Sequence, residues 1–424
     1  MVESLLEGPQ IAGASPARLS GPDSPATHRR SEEAFRVALL TGGWDKPYAL
    51  GLGCALSNQD ISLDFIGSDE VDSPELRQCA HLRFLNLRGN QCPGASHFQK
   101  IRRIIKYYLR LIAYATTAQP KIFHILWNNK FELFDRTLLM MYYRLFGKKL
   151  VFTAHNVNTA KRDGTDSLIN RLSLKIQYNL SHRIFVHTNK MKAELLHDFG
   201  VPEKKAIVIP FGINNTLPDT GLDRENARKL LGLNPTAKTI LFFGNIAPYK
   251  GLEYLVRALA ELAVNAPNIC VLVAGKTKGA PEYWKSVQRE IVSNGLTDKI
   301  ILRTEYIPDE EVERYFKAAD VLALPYVSIF QSGVLSLGYS FGLPVIAADV
   351  GSLKEEIVEG KTGFVFSHKK PSDLARTLET YFSSELYKNL ENRRQVIRDY
   401  ANERYSWKKV GAVTREVYSD LLAV

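Results

Sequence analysis

Apolar and polar positions along this chain fall into two long cycles, each alternating short apolar runs with longer helical stretches. The first cycle begins at Arg36 with VALLT and continues through SLDFIG (62–67), KIFHILW (121–127), KLVFTAH (149–155), RIFVHT (183–188) and KAIVIP (205–210). Between these runs a 3.6-residue period predicts helices through Leu56 and over 98–116, 132–146, 167–180 and 190–198. The second cycle runs through TILFFG (239–244), ICVLVAG (269–275), KIILRT (299–304), VLALP (321–325) and Val345 to Ala348, with helices over 251–265, 281–294, 309–318 and 334–341. Short, nearly all-apolar runs set between helices read as parallel strands covered on both faces. A polar stretch holding Asn214, Asn215, Pro218, Asp219 and Gly221 separates the cycles. The pattern predicts an α/β protein with two Rossmann-like parallel-sheet domains facing across a cleft, over 35–215 and 216–383. In such sheets ligands bind beyond the carboxyl ends of the strands. Residues 384–424 read as helices that pack back on the N-terminal domain, with Tyr405 and Trp407 as anchors. Residues 1–34, rich in Pro, Ser, Gly and Ala, read as a disordered tail.

Composition changes this picture little. At 424 residues, 45% apolar and 24% charged, the chain suits two ordinary globular domains. Its four cysteines, Cys54, Cys79, Cys92 and Cys270, show no CxxC and no metal-ligand spacing, so reduced thiols in a cytoplasmic protein are expected. No apolar run reaches the ~18 residues of a membrane span.

Charge changes it more. Residues 36–215 carry 25 Lys/Arg against 14 Asp/Glu, whereas 216–424 carry 27 against 26. A basic half can mean nucleic acid, an anionic membrane surface or an anionic substrate, or only scattered lysines that keep the chain soluble; among partners, nucleic acid is not the expected one. Within that half, helix 98–116 sets Ile101, Ile104, Ile105, Tyr108, Leu109 and Ile112 on one stripe. Lys100, Arg102, Arg103, Lys106 and Arg110 fall mostly away from it. Such a helix either lies on an anionic bilayer or buries its stripe in the core and solvates its cations. In the first reading Arg102, Arg103 and Lys106 contact membrane or acceptor, and the protein sits on the inner face of the cytoplasmic membrane.

Candidate chemistry gathers at small-residue turns after strands. Gly42-Gly43 follows the first strand, Ser332-Gly333 opens a helix after VLALP, and in FFGNIAPYKG (242–251) Lys250 stands six residues beyond Gly244 at a helix start. Such turns leave backbone N–H groups uncovered for phosphate, and a lysine beside them supplies a compact cation. His155 follows KLVFTA, where cleft residues belong.

These residues carry a resemblance. The FxGxxxxxKG of Phe242 to Gly251, VLVAG (271–275), YIPDEEVERYFKAADVLALPY (306–326), FGLPVIAADVGSLKEEIVEGKTG (341–363), PFGI (210–213) and the histidine after KLVFTA together resemble the GT-B glycosyltransferases of family GT4. The resemblance covers about 36–420. It implies transfer of a sugar from a nucleotide-diphospho-sugar, with retention of configuration, to a lipid-linked, polysaccharide or other glycan acceptor, with no cofactor and no metal. By it, Lys250 binds the donor diphosphate beside Gly244, Asn245 and Gly275. The segment Gln331, Ser332, Gly333, Val334 and Leu335 holds the distal phosphate, and Tyr306 and Ile307 the base. Gly43 approaches from the other lobe, His155 stands by the transferred sugar, and Glu355 closes the GGxxE pattern, here Gly351-Ser352.

The departures are specific. The paired glutamates of the family fall at Ile329 and Leu337, and its frequent arginine after the strand-end glycine is Asn245. No Asp-x-Asp pair occurs, which argues against the metal-bound diphosphate of the other main glycosyltransferase fold. An epimerase on the same scaffold would want the two missing carboxylates, and a non-catalytic nucleotide-binding protein would tolerate their loss.

Overall fold

The computed structural model describes residues 35–42, 46–92, 94–162, 164–213, 217–329 and 331–423. The expected tail, Gly43, Asn214 and Asn215 lie outside them. Seven strands, β1 (Arg36–Leu40), β2 (Ser62–Gly67), β3 (Leu82–Asn86), β4 (Ile122–Ile125), β5 (Lys149–Thr153), β6 (Arg183–Val186) and β7 (Ala206–Val208), form a parallel sheet ordered β3-β2-β1-β4-β5-β6-β7. Six more, β8 (Lys238–Phe243), β9 (Ile269–Ala274), β10 (Ile300–Arg303), β11 (Val321–Leu324), β12 (Val345–Ala348) and β13 (Gly363–Phe366), form a second, ordered β10-β9-β8-β11-β12-β13. Both sheets reverse direction of growth beside their first strand, between β1 and β4 and between β8 and β11. That is where an open α/β sheet offers a crevice to ligands.

The central strands are buried but for some end residues, β9 and β11 at every residue, because helices cover both faces. The edge strand β3 is only half-buried, which is why HLRFLNL carries too weak an apolar signal to read as a strand. Helix starts follow local chemistry. Ser96 and Gln99 form a reciprocal capping box before His97–Thr117, and Ser332 caps Gly333–Ser340 by accepting from the Leu335 N–H.

A buried ion cluster fixes the second lobe. Asp320, at the start of β11, has no exposed surface. It accepts from Arg228 Nη2 at 2.9 Å, Arg224 Nη2 at 2.7 Å and the Thr239 N–H at 2.7 Å. Arg228 is equally buried and also donates to the Ala318 and Ala237 carbonyls.

Of the C-terminal helices expected to pack back on the first lobe, only the last does so, because the apolar residues before it face the second sheet. Leu390–Tyr405 keeps Ile397, Ala401 and Tyr405 in the core of the second sheet. Trp407–Ala423 places Val410, Val417, Tyr418 and Leu421 in the core on one side of the first sheet, against β1, β2 and the helix Lys46–Ser57. At the crossing the Trp407 indole occupies space that a Cβ on either Gly51 or Gly212 would need, at 2.1 and 2.4 Å respectively. The Ile213 N–H donates to the Tyr405 carbonyl at 2.9 Å, so the two chain crossings are tied to each other.

Candidate active site

At the β8–β11 crevice the backbone is shaped to bring one cation against one tyrosine. The chain leaves β8 through Gly244, at φ +97°, and reaches Gly251, at φ +66°, after a single 3-10 turn, Pro248–Lys250. A Cβ at Gly251 would stand 2.1 Å from the Pro325 carbonyl oxygen, so only glycine lets the end of β11 approach this closely. The Val327 N–H then donates to the Tyr249 carbonyl at 2.9 Å, locking the two strand ends together. Lys250 is consequently buried. Its Nζ donates to the Tyr326 hydroxyl at 2.6 Å and sits 4.2 Å from that ring's centre. Burial pushes the Tyr326 phenol up, so it stays neutral.

Around this pair stand the small residues. A Cβ on Gly244 would lie 3.9 Å from Lys250 Nζ and 3.5 Å from Val334, and one on Gly275 would strike the Gly244 carbonyl at 2.2 Å. The Tyr326 and Ser332 hydroxyls are 3.3 Å apart, and Ser332 caps the helix whose first turn holds Gly333, Val334 and Leu335. Gln331 completes the turn with both amide atoms buried and no hydrogen-bond partner among the described residues. Buried amide groups left unpaired are uncommon in folded proteins and mark a place where a polar ligand fits. Lys250, Gly244, Val334, Ser332 and Tyr326 are thus one cluster that joins a cation to a helix N-terminus, an anion-binding arrangement.

The other sequence-expected residues of this lobe lie differently. Asn245 is half-buried beside Gly244. Tyr306 is exposed, with Lys276 Nζ 5.9 Å from its ring centre, while the Ile307 side chain belongs to the core. Glu355 is exposed; its neighbour Glu356 is the buried carboxyl, pushed up to about 7 by burial and accepting from the Ser352 hydroxyl at 3.4 Å. Of the two positions that lost a glutamate, Leu337 is core. Ile329 lines a cavity of about 850 Å³ between the lobes, with Lys190, Glu194 and His197 on one side and Asp349 and His368 on the other.

In the first lobe His155 follows β5 and His187 follows β6. His155 stacks on Trp127 at 4.1 Å with the rings 3° from parallel, and Tyr48 meets it edge-on at 4.6 Å. The hydrogen bonds fix its tautomer. A backbone carbonyl only accepts, so His187 Nδ1 carries the hydrogen that it gives to the Ile209 oxygen at 3.2 Å. His187 Nε2 is therefore bare and accepts from His155 Nδ1–H at 3.2 Å. His155 Nε2 is left as a bare acceptor, buried and unpartnered among the described residues. Burial, then the neighbouring His187 and His124, holds the His155 imidazole well below its ordinary value, and burial brings His187 down to about 4. Both rings are neutral at physiological pH. Trp127 is positioned by Gly42, at φ +63°, where a Cβ would stand 2.5 Å from the Trp127 carbonyl.

Tyr326 and His187 were not singled out in the sequence. His187 ends RIFVHT just as His155 ends KLVFTAH, so the strand-end rule applied evenly would have found it. Among the described residues no group of three or more His, Cys, Asp or Glu is placed to hold a metal ion. In helix His97–Thr117, Arg102 and Lys106 are exposed and Arg103 donates to the Asn90 carbonyl at 2.7 Å.

Comparison with known proteins agrees with this layout. Residues 223–404 match the sequence model for glycosyl transferases group 1, and residues 47–217 that for glycosyltransferase family 4. A D-inositol 3-phosphate glycosyltransferase from Corynebacterium efficiens is 26% identical over 88% of this chain and 89% of its own length. One from Streptomyces bingchenggensis is 31% identical over 57% of this chain and 53% of its own. Among solved structures, sucrose-phosphate synthase from Thermosynechococcus elongatus superposes with a TM-score of 0.71 at 18% identity, covering 92% of this chain and 99% of its own. Anabaena HepE in complex with UDP and glucose gives 0.68 at 17% identity, covering 91% and 100%.

Proposed function

The chain belongs to the glycosyltransferases of group 1 and family 4, with the GT-B fold, and on that footing we propose a retaining, metal-independent enzyme. It moves a sugar from a nucleotide-diphospho-sugar to a lipid-linked, polysaccharide or other glycan acceptor. The reaction takes place at the inner face of the cytoplasmic membrane. One observation carries the donor assignment: the buried Lys250 ammonium, 2.6 Å from the Tyr326 hydroxyl, stands in one cluster with Gly244 and the Ser332-capped helix start. A cation preorganised beside helix N–H groups suits the charge that grows on a leaving diphosphate.

In this reading the bond from the anomeric carbon to the diphosphate breaks, and the acceptor hydroxyl attacks from the same face. Its proton passes to the departing phosphate oxygen. Lys250, the Ser332 to Leu335 backbone and the Gln331 amide meet the diphosphate, so no metal is needed there. His155 Nε2, as a bare acceptor, takes a hydrogen bond from a sugar hydroxyl; it cannot donate one. Because HepE was crystallised with UDP and glucose, UDP-sugars lead the donor panel, followed by GDP- and ADP-sugars. Calorimetric titration with the three nucleoside diphosphates, and hydrolysis of their sugars, tests the reading. Heat from none of them would overturn it.

Two expectations follow at once. Transfer should proceed at full rate in excess EDTA; a loss restored by added Mg²⁺ or Mn²⁺ would end the metal-independent reading. His155→Ala should lower kcat at least about tenfold, some 1.4 kcal/mol of barrier, with nucleotide affinity nearly unchanged, since the contact strengthens as charge develops at the anomeric carbon. Parent-like turnover in that variant would make His155 a packing residue.

A further inference from the structure

We infer that the outer face of three helices on one side of the seven-stranded sheet is a docking surface for an anionic bilayer. The inference deepens the membrane-surface reading above and widens it from one helix to a whole face of the lobe. Of the eighteen large apolar side chains that are exposed among the described residues, thirteen fall between Phe98 and Leu172. Eleven ride on His97–Thr117, on the continuous helical run from Glu132 to Leu145, and on Leu168–Leu180, and Phe131 and Phe146 flank the middle run.

The three helices form one layer. Their inner sides, through Tyr108, Tyr143 and Tyr178, share a single hydrophobic cluster with β1, β4, β5 and β6. Side to side, the Tyr108 ring stacks on Phe131 at 5.6 Å, the Tyr142 hydroxyl donates to the Ile112 carbonyl at 3.4 Å, and Arg136 donates to Asn170 at 2.8 Å. On the first helix Ile101, Ile105 and Leu109, exposed by 54–63%, lie within about 80° of one another on the helical wheel, and Tyr108 and Ile112 sit on that same side. The exposed row therefore borders the middle helix, whose own Leu138 and Leu145 are 61% and 83% exposed. Leu168 and Leu172, on the third helix, extend the patch at 85% and 61%.

Charge identifies the occupant. Residues 97–149 hold eleven Lys/Arg against two acids, +9 of the chain's net +10. Of those acids Asp135 is buried and Glu132 is paired with Arg136. Arg102, Lys106 and Arg110 follow the apolar row along its other flank, all exposed. Apolar rows edged by cations with no free acid match an interfacial face on anionic lipid. A protein partner's interface core would instead be depleted of lysine, and a second copy of this face would bring like charge against like.

Sedimentation of the full chain with phosphatidylcholine vesicles, with and without phosphatidylglycerol, tests this. The parent should pellet with the anionic vesicles only. Arg102→Glu with Lys106→Glu and Arg110→Glu should weaken partitioning at least about a hundredfold, each cation contributing roughly fivefold. Leu138→Gln with Leu172→Gln, on the other two helices, should also release the protein while its melting temperature and nucleotide-sugar hydrolysis in solution stay at the parent's values. If these leucine changes leave pelleting intact, the three-helix surface is wrong. If the parent stays in the supernatant with both vesicle types, bilayer docking is wrong and a protein partner takes its place. Absent donor hydrolysis in parent and variants alike would bear on the donor assignment and leave the sedimentation result standing.

Discussion

Asp320→Ala is expected to destabilise the second lobe by about 3–5 kcal/mol, the range for breaking one side of a buried ion pair. The loss comes less from the bonds removed than from what stays behind. Arg228 is 1% exposed, and without Asp320 its guanidinium keeps only backbone carbonyls to offset a fully desolvated charge. Arg224 and the Thr239 N–H lose an acceptor in the same step. Against a total stability of ~5–15 kcal/mol for a domain, such a change is large enough to shift the urea midpoint plainly. Circular dichroism through a urea titration provides the measurement, and a midpoint within error of the parent's would mean that water enters and solvates Arg228. The double change of Asp320 and Arg228 to apolar residues of similar volume should recover much of the loss, since it leaves no fully buried charge uncompensated and Arg224, 31% exposed, can turn to water.

Lys250→Ala is expected to weaken nucleoside diphosphate binding by about 1.5–3 kcal/mol, or roughly 10- to 150-fold in Kd. The ammonium is buried against Tyr326, so its removal takes a charge-assisted donor from a site largely shielded from water. Lys250→Met separates charge from packing, because it keeps an unbranched apolar stem in the same space. If charge carries the effect, both variants bind alike in calorimetry; recovery in the methionine variant would assign the effect to packing. Undiminished affinity in both would remove Lys250 from the donor site.

What could be read in advance follows the range of the forces involved. The glycine and lysine of 242–251 are legible because a strand, a left-handed turn and a helix start are local backbone events, each signalled by the residue that permits it. The partner of Lys250 is not local: Tyr326 lies 76 positions away and meets it only through the Gly251–Pro325 approach. Periodicity found the apolar stripe of helix 98–116 but not its division. Tyr108 is buried, and Ile104 and Ile112 are half-buried against the core, while Ile101, Ile105 and Leu109 look outward. A period of 3.6 gives one amphipathic direction, and two apolar rows side by side on a helix look like one broad stripe until the sheet takes the first. Glu355 and Glu356 make the same point at short range. The motif names the first, but the turn Leu353–Glu356 buries the second, and only the backbone's phase decides between adjacent carboxyls.

The return of the last helix to the first lobe also sets a timetable for folding. Val410, Val417, Tyr418 and Leu421 belong to the core of the first lobe, and the Trp407 indole fills the gap between Gly51 and Gly212, yet all are synthesised after the whole second lobe. At ribosomal rates of ~5–20 residues per second, the first lobe waits about 10–40 s with the core on that side of its sheet incomplete. In that interval the side of the helix Lys46–Ser57 that packs on Trp407–Ala423 has no cover, so the nascent chain presents an apolar surface that the finished enzyme hides. The second lobe, whose core needs nothing beyond Tyr405, can close first. The order in which this protein becomes native is therefore the reverse of the order in which its sheets are made.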